Sequence, residues 1–134
     1  MSKILALDVG QRRIGYAVGD LQHKIAFPRE TLAKNPHAKL FAKLREILKE
    51  EQINKIIIGL PLNEENQDSQ EALKIKQLGN LIAREFLLPI EYIDEHGSSR
   101  EALRKIPFRR DRAVKGNCDP LAAQIILQRY FDGL

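Results

Sequence analysis

Cysteine is almost absent from this chain. Cys118 stands alone among 134 residues, so no internal disulfide can form, and three scattered histidines, His23, His37 and His96, cannot complete a cysteine-based zinc site. Long hydrophobic runs are missing too. The apolar stretch from Ile4 to Leu7 is cut at Asp8, too short for a signal peptide or a membrane span, so a cytoplasmic protein without a membrane partner is expected. No internal repeat, linker or low-complexity segment interrupts the chain, and its length suits one ordinary domain over residues 1–134. What is present is a globular balance, 43% hydrophobic and 30% charged residues. The net charge of +4 and a pI near 9.3 tilt the partner towards a polyanion. Its distribution is more informative than its size. Lys105, Arg109, Arg110, Arg112 and Lys115 crowd one segment opposed only by Asp111, which marks a candidate phosphate-contacting loop.

Hydrophobic periodicity predicts an α/β fold. Lys3 to Val9 is nearly continuously apolar, as in a central strand covered on both faces. Ile14 to Asp20 alternates, with Ile14, Tyr16 and Val18 on one face and Gly15, Ala17 and Gly19 on the other, and Gly10 to Arg13 forms the hairpin turn between the two strands. Ile25 to Leu32 is a third strand, placed at an edge because Pro28 removes a ladder donor. Asn35 and Pro36 read as a cap and first-turn proline for a helix to Glu51 with Leu40, Phe41, Leu44, Ile47 and Leu48 as its stripe. Asn54 to Leu60 is a buried strand, and Asp68 with Glu71 has capping-box spacing for a helix running to Phe86. Ile90 to Asp94 is a further strand, Ser98 and Glu101 open a short helix to about Lys105, and Asp119-Pro120 begins the last helix. The order implies a mixed five-stranded sheet, three antiparallel strands first and parallel strands after, flanked by helices.

In such sheets ligands bind beyond the carboxyl ends of the parallel strands, where Asp8 and Asp94-Glu95 fall. A carboxylate ending a buried strand needs a cation or hydrogen-bond donors, and two readings of Asp8 stand open: a metal ligand, or an acceptor of backbone N–H groups in the glycine turn. Successive strand residues point to opposite faces, so only one of Asp94 and Glu95 can share a site with Asp8, and Glu95 is chosen. Asp119 before Pro120 is first a helix cap, a role compatible with one oxygen facing a metal. Asp8, Glu95 and Asp119 together would make an all-oxygen site suited to Mg²⁺ or Mn²⁺ rather than zinc. Two such ions about 4 Å apart can drive displacement at phosphorus without a histidine base. His23 and His37 read as surface residues, and capping accounts for Ser98 and Ser99.

Four motifs in order, Asp8-Val-Gly-Gln-Arg-Arg-Ile-Gly15, Gly59-Leu-Pro-Leu-Asn63, Asp94-Glu95 and Asp119-Pro-Leu-Ala-Ala123, resemble the pre-16S rRNA nucleases, also called Holliday-junction-resolvase-like proteins, of the RNase H-like superfamily. The resemblance spans almost the whole chain and implies an RNase H-like fold with Asp8, Glu95 and Asp119 as catalytic acids and metal ligands. It places the basic stretch before Asp119 as a substrate loop and matches Arg13 to a motif arginine with a phosphate-binding or structural role. The chain departs from the family pattern at His96-Gly97-Ser98-Ser99, where arginine and threonines are usual, and in the acidic stretch after Asn63.

Three functions compete. The first is a Mg²⁺- or Mn²⁺-dependent endonuclease, working as a monomer, that trims the 5′ end of precursor 16S rRNA, with ribosomal components as candidate partners. The second is a resolvase of four-way DNA junctions, which would need a dimer to cut symmetrically. The third is a non-catalytic nucleic-acid-binding module, whose affinity would depend on salt and not on metal. An Asp-x-Gly hairpin also occurs in two-lobed ATP-binding folds, but those need a far longer chain.

Overall fold

The computed structural model describes residues 2–61, 69–94 and 120–134. Its elements follow in the order β1 (Lys3–Val9), β2 (Arg13–Asp20), β3 (Ala26–Ala33), α1 (His37–Glu50), β4 (Ile53–Leu60), α2 (Gln70–Phe86), β5 (Ile90–Asp94) and α3 (Pro120–Asp132). The strands form one five-stranded sheet in the order β3-β2-β1-β4-β5. β1 pairs antiparallel with β2 and β2 with β3, whereas β1–β4 and β4–β5 are parallel. This is the mixed sheet that the periodicity predicts. Pro28 does lie on an edge strand, beside a register shift between Gly15 and Ala17. A bulge there is consistent with proline's missing donor. The predicted helix from Ser98 falls outside the described residues.

Strand alternation sorts the core into two layers. Leu5, Leu7 and Val9 of β1 pack with Tyr16, Val18, Ile56 and Ile58 against α1 and α2. Ile4 and Ala6 pack with Ala17, Ile57 and the α3 residues Ala123, Ile126, Leu127 and Phe131 on the opposite face. The near-continuous apolar run of β1 therefore has its cause: each face is covered by a different helical layer. On the α3 face β2 contributes only small residues, so the helix comes close. A Cβ added to Gly19 would stand 2.5 Å from the Ile25 carbonyl oxygen and 2.8 Å from the Phe131 ring.

Two caps differ from the sequence expectation by one residue. The cap of α1 is Pro36 rather than Asn35, with extended backbone, and its carbonyl accepts from the amides of Lys39 and Leu40 at 3.1 Å each. Proline can stand there because an N-cap needs no amide donor of its own. For α2 the cap is Ser69, not Asp68. Its Oγ accepts from the Ala72 amide at 3.0 Å and its hydroxyl donates to the Pro61 carbonyl at 2.8 Å. The serine thus ties the helix start to the end of β4 as well as capping it. Ser69→Ala is expected to cost about 1–2 kcal/mol in urea unfolding. A loss below about 0.3 kcal/mol would mean that water replaces both bonds.

Candidate active site

β1 ends as Leu7-Asp8-Val9, and alternation assigns Leu7 and Val9 to the α1–α2 layer. Asp8 consequently shares the α3 face with Ile4 and Ala6, and it is half-buried. Across the hairpin it is opposite Gly15. On the other side Leu7 pairs with Ile58, and the next residue of β4 is Gly59. The carboxylate thus projects where its strand neighbours carry no side chains.

The turn that follows Asp8 is held from both ends. The Gly10 amide donates to the Arg13 carbonyl at 2.9 Å, closing the loop between β1 and β2. From the end of β3, the Lys34 amide donates to the Arg12 carbonyl at 2.9 Å and its ammonium to the Gly10 carbonyl at 3.2 Å. Lys34 was not a sequence candidate. Nothing local marks it, since its partners stand more than twenty positions earlier. Arg13 is exposed at the start of β2, at the same end of the sheet as Asp8.

Asp94 ends β5, paired with Leu60. Ile93 packs with the α3 layer and Tyr92 with the α1–α2 layer, so alternation assigns Asp94 to the face away from Asp8. The Asp94 carbonyl accepts from Arg129 Nη1 at 3.0 Å, which anchors the end of β5 to α3. Arg129, like Lys34, gives no sequence signal of this contact.

Glu95, Asp119, Lys105, Arg109, Arg110, Arg112 and Lys115 lie outside the described residues, as do His96, Cys118, Ser98 and Ser99. His23 and His37 are exposed, as expected. His23 Nδ1 is 2.9 Å from Asp20 Oδ1, and the His23 backbone amide, first among several hydrogen bonds to this carboxylate, lowers the Asp20 pKa. His37 stacks on Phe41.

A hard divalent cation takes oxygen ligands, and Asp8 fits as one of them: a half-buried carboxylate at the end of a strand that pairs in parallel with β4. Among the described residues no group of three His, Cys, Asp or Glu side chains could hold a metal ion. Any complete site of that kind must draw on acids beyond them.

Residues 2–133 match the family described as RuvX, Holliday junction resolvase. The chain belongs to this family. A Chloroflexus aggregans relative named "Putative pre-16S rRNA nuclease" is 33% identical over 132 residues, covering 96% of this chain and 92% of that protein. A Bordetella parapertussis protein of the same name is 32% identical over 131 residues, covering 98% and 94%. Among solved structures, "T. thermophilus RuvC in complex with Holliday junction substrate" superposes with a TM-score of 0.61 at 17% identity, covering 99% of this chain and 95% of that one. That likeness is one of fold, and the family's fold is the RNase H-like one that the motifs imply. Among the described residues no helix is long and apolar enough to cross a membrane.

Proposed function

We propose that this RuvX-family chain is a metal-dependent endonuclease that hydrolyses phosphodiester bonds at the 5′ end of pre-16S rRNA during ribosome biogenesis. Residues 1–134 form its single nuclease domain and act in the cytoplasm as a monomer, with ribosomal components as partners. The observation that carries the reading is Asp8, a carboxylate on the α3 face at the carboxyl end of β1, flanked by glycines. The relatives' shared name supplies the substrate.

Asp8, Glu95 and Asp119 are the residues that would hold Mg²⁺ or Mn²⁺. Two positions of the fold support this trio. Glu95 follows directly on Asp94, the last residue of β5, whose own place is on the other face. Asp119 directly precedes α3, whose Ala123 packs in the same cluster as Ala6, two residues before Asp8. Bound there, the metal would supply an activated water and charge neutralisation at phosphorus. The chain's own residues do the rest. Lys105, Arg109, Arg110, Arg112 and Lys115 contact the phosphate backbone as a cationic loop, and Arg13 binds a phosphate beside the Asp8 turn. Lys34 and Arg129 hold the turn and the β5 end in place.

The family's printed description and the RuvC structure's title favour one second reading, cleavage of four-way DNA junctions by a dimer. One experiment separates them. The protein is incubated with a pre-16S rRNA fragment and with a four-way junction, in Mg²⁺, in Mn²⁺ and in excess EDTA. Cleavage of the rRNA fragment that falls to background in EDTA is expected. Junction cutting with the rRNA intact would replace this reading by the second, and cleavage undiminished by EDTA would remove the metal. Salt-sensitive binding of either substrate without any cutting would leave only a binding module.

A further inference from the structure

The sheet face opposite Asp8 has a feature that the nuclease reading does not use. Between edge strand β3 and α1 lies a cavity of about 430 Å³. Its rim carries Glu30 from β3 and Glu46 and Glu50 from α1, against one cation, Lys43. Helical spacing brings positions 43, 46 and 50 to one stripe of α1. Lys43 is 3.7 Å from Glu46, while nearby Glu51 holds Lys3 at 3.3 Å and Arg29 at 3.4 Å. Glu30 and Glu50 make no ion pair among the described residues. Both of these carboxylates are exposed, so they are open to a ligand at the rim of the cavity.

A second observation is independent of the acids. Tyr16 of β2 lines the same cavity and is only 8% exposed. Its hydroxyl has no hydrogen-bond partner among the described residues, yet none of their polar side-chain atoms is sealed from solvent without a partner. The hydroxyl oxygen therefore keeps contact with solvent, on a residue that lines the cavity. Burial, then the charges of Glu30, Glu51 and Glu50 against the opposing Arg29, push the phenol's pKa up, so it stays a neutral hydroxyl with free lone pairs.

We propose that this cleft binds a small aliphatic polyamine, one ammonium between Glu30 and Glu50 and within reach of the Tyr16 hydroxyl, its methylenes along Leu32 and Ile47. A compact metal ion does not suit the site. Among the described residues no group of three carboxylates could hold a metal ion, and a polyamine needs no such group. Leu32 and Ile47 are buried apolar walls of the cavity and match a hydrocarbon stem. Tyr16 is in the α1–α2 layer whereas Asp8 is on the α3 face, so the proposal does not depend on the nuclease reading.

Spermidine titrated calorimetrically into the full chain at low salt, with potassium chloride as the control for ionic strength, tests the proposal. Saturable binding by wild type is expected. The doubly substituted Glu30→Gln/Glu50→Gln protein should bind about tenfold more weakly, the sum of two exposed charge pairs. Tyr16→Phe should weaken binding by about threefold while keeping the ring in place. Asp8→Asn should bind as wild type. No saturable binding, undiminished binding by the Gln variant, or loss of binding in Asp8→Asn would each overturn the proposal, the last by moving the polyamine to the acids of the other face.

Discussion

Asp8→Asn is expected to lower metal-dependent cleavage by more than about 100-fold, the upper range for removing a mere outer-shell partner of a metal site. The melting temperature should stay the same or rise. Asn keeps the shape of the side chain and one oxygen acceptor, but it removes a charge that β1 holds half-buried at the end of an otherwise apolar strand. The competing explanation, an aspartate whose work is to satisfy the glycine turn, loses one of its donors in the structure. The Gly10 amide already donates to the Arg13 carbonyl, and Lys34 braces the same turn from β3. Rate and stability therefore separate the two. Cleavage within a few fold of wild type would take Asp8 out of the chemistry, and a drop in melting temperature of many degrees with the rate preserved would make it a structural residue.

Phe131→Ala should destabilise the protein by about 3–5 kcal/mol. The ring is 2% exposed in the layer formed by Ile4, Ala17, Ile57 and Ile126, and it sits against Gly19, where the sheet carries no side chain to move into a vacated space. The cavity left behind cannot collapse easily, because the sheet is rigid backbone there and α3 is also tied to β3 through Gln124 and Gln128. Gln124 Nε2 donates to the Ala26 carbonyl at 3.0 Å, and Gln128 Oε1 accepts from the Ala26 amide at 3.1 Å. Thermal melting should fall by on the order of 10 °C for a chain of this size. A loss under about 1 kcal/mol would show that α3 is not docked on the sheet as the structure has it.

Much of the fold was legible in advance. All five strands and the three described helices follow from apolar spacing, and β5 begins and ends where expected, at Ile90 and Asp94. The caps were less legible. Asn35 and Asp68 both have the right chemistry for an N-cap, but the helices start one residue later, after Pro36 and Ser69. Several polar residues close together can each satisfy a first turn, and the geometry of the preceding chain selects among them. For the site, alternation along β1 and β5 could be read from the order of residues, while the bracing by Lys34 and Arg129 carried no local mark.

The order of residues alone determined which segments become strands or helices and which acid interrupts the first buried strand, because periods of two and 3.6 are properties of a few neighbouring positions. Strand pairing and helix docking decided the rest: that Asp8 shares a face with α3, that Gly15 stands opposite it, that Lys34 reaches back to Gly10, and that Tyr16, Glu30 and Glu50 meet at one cleft. Such meetings join positions far apart in the chain, and their geometry is set by how whole elements pack rather than by any local pattern.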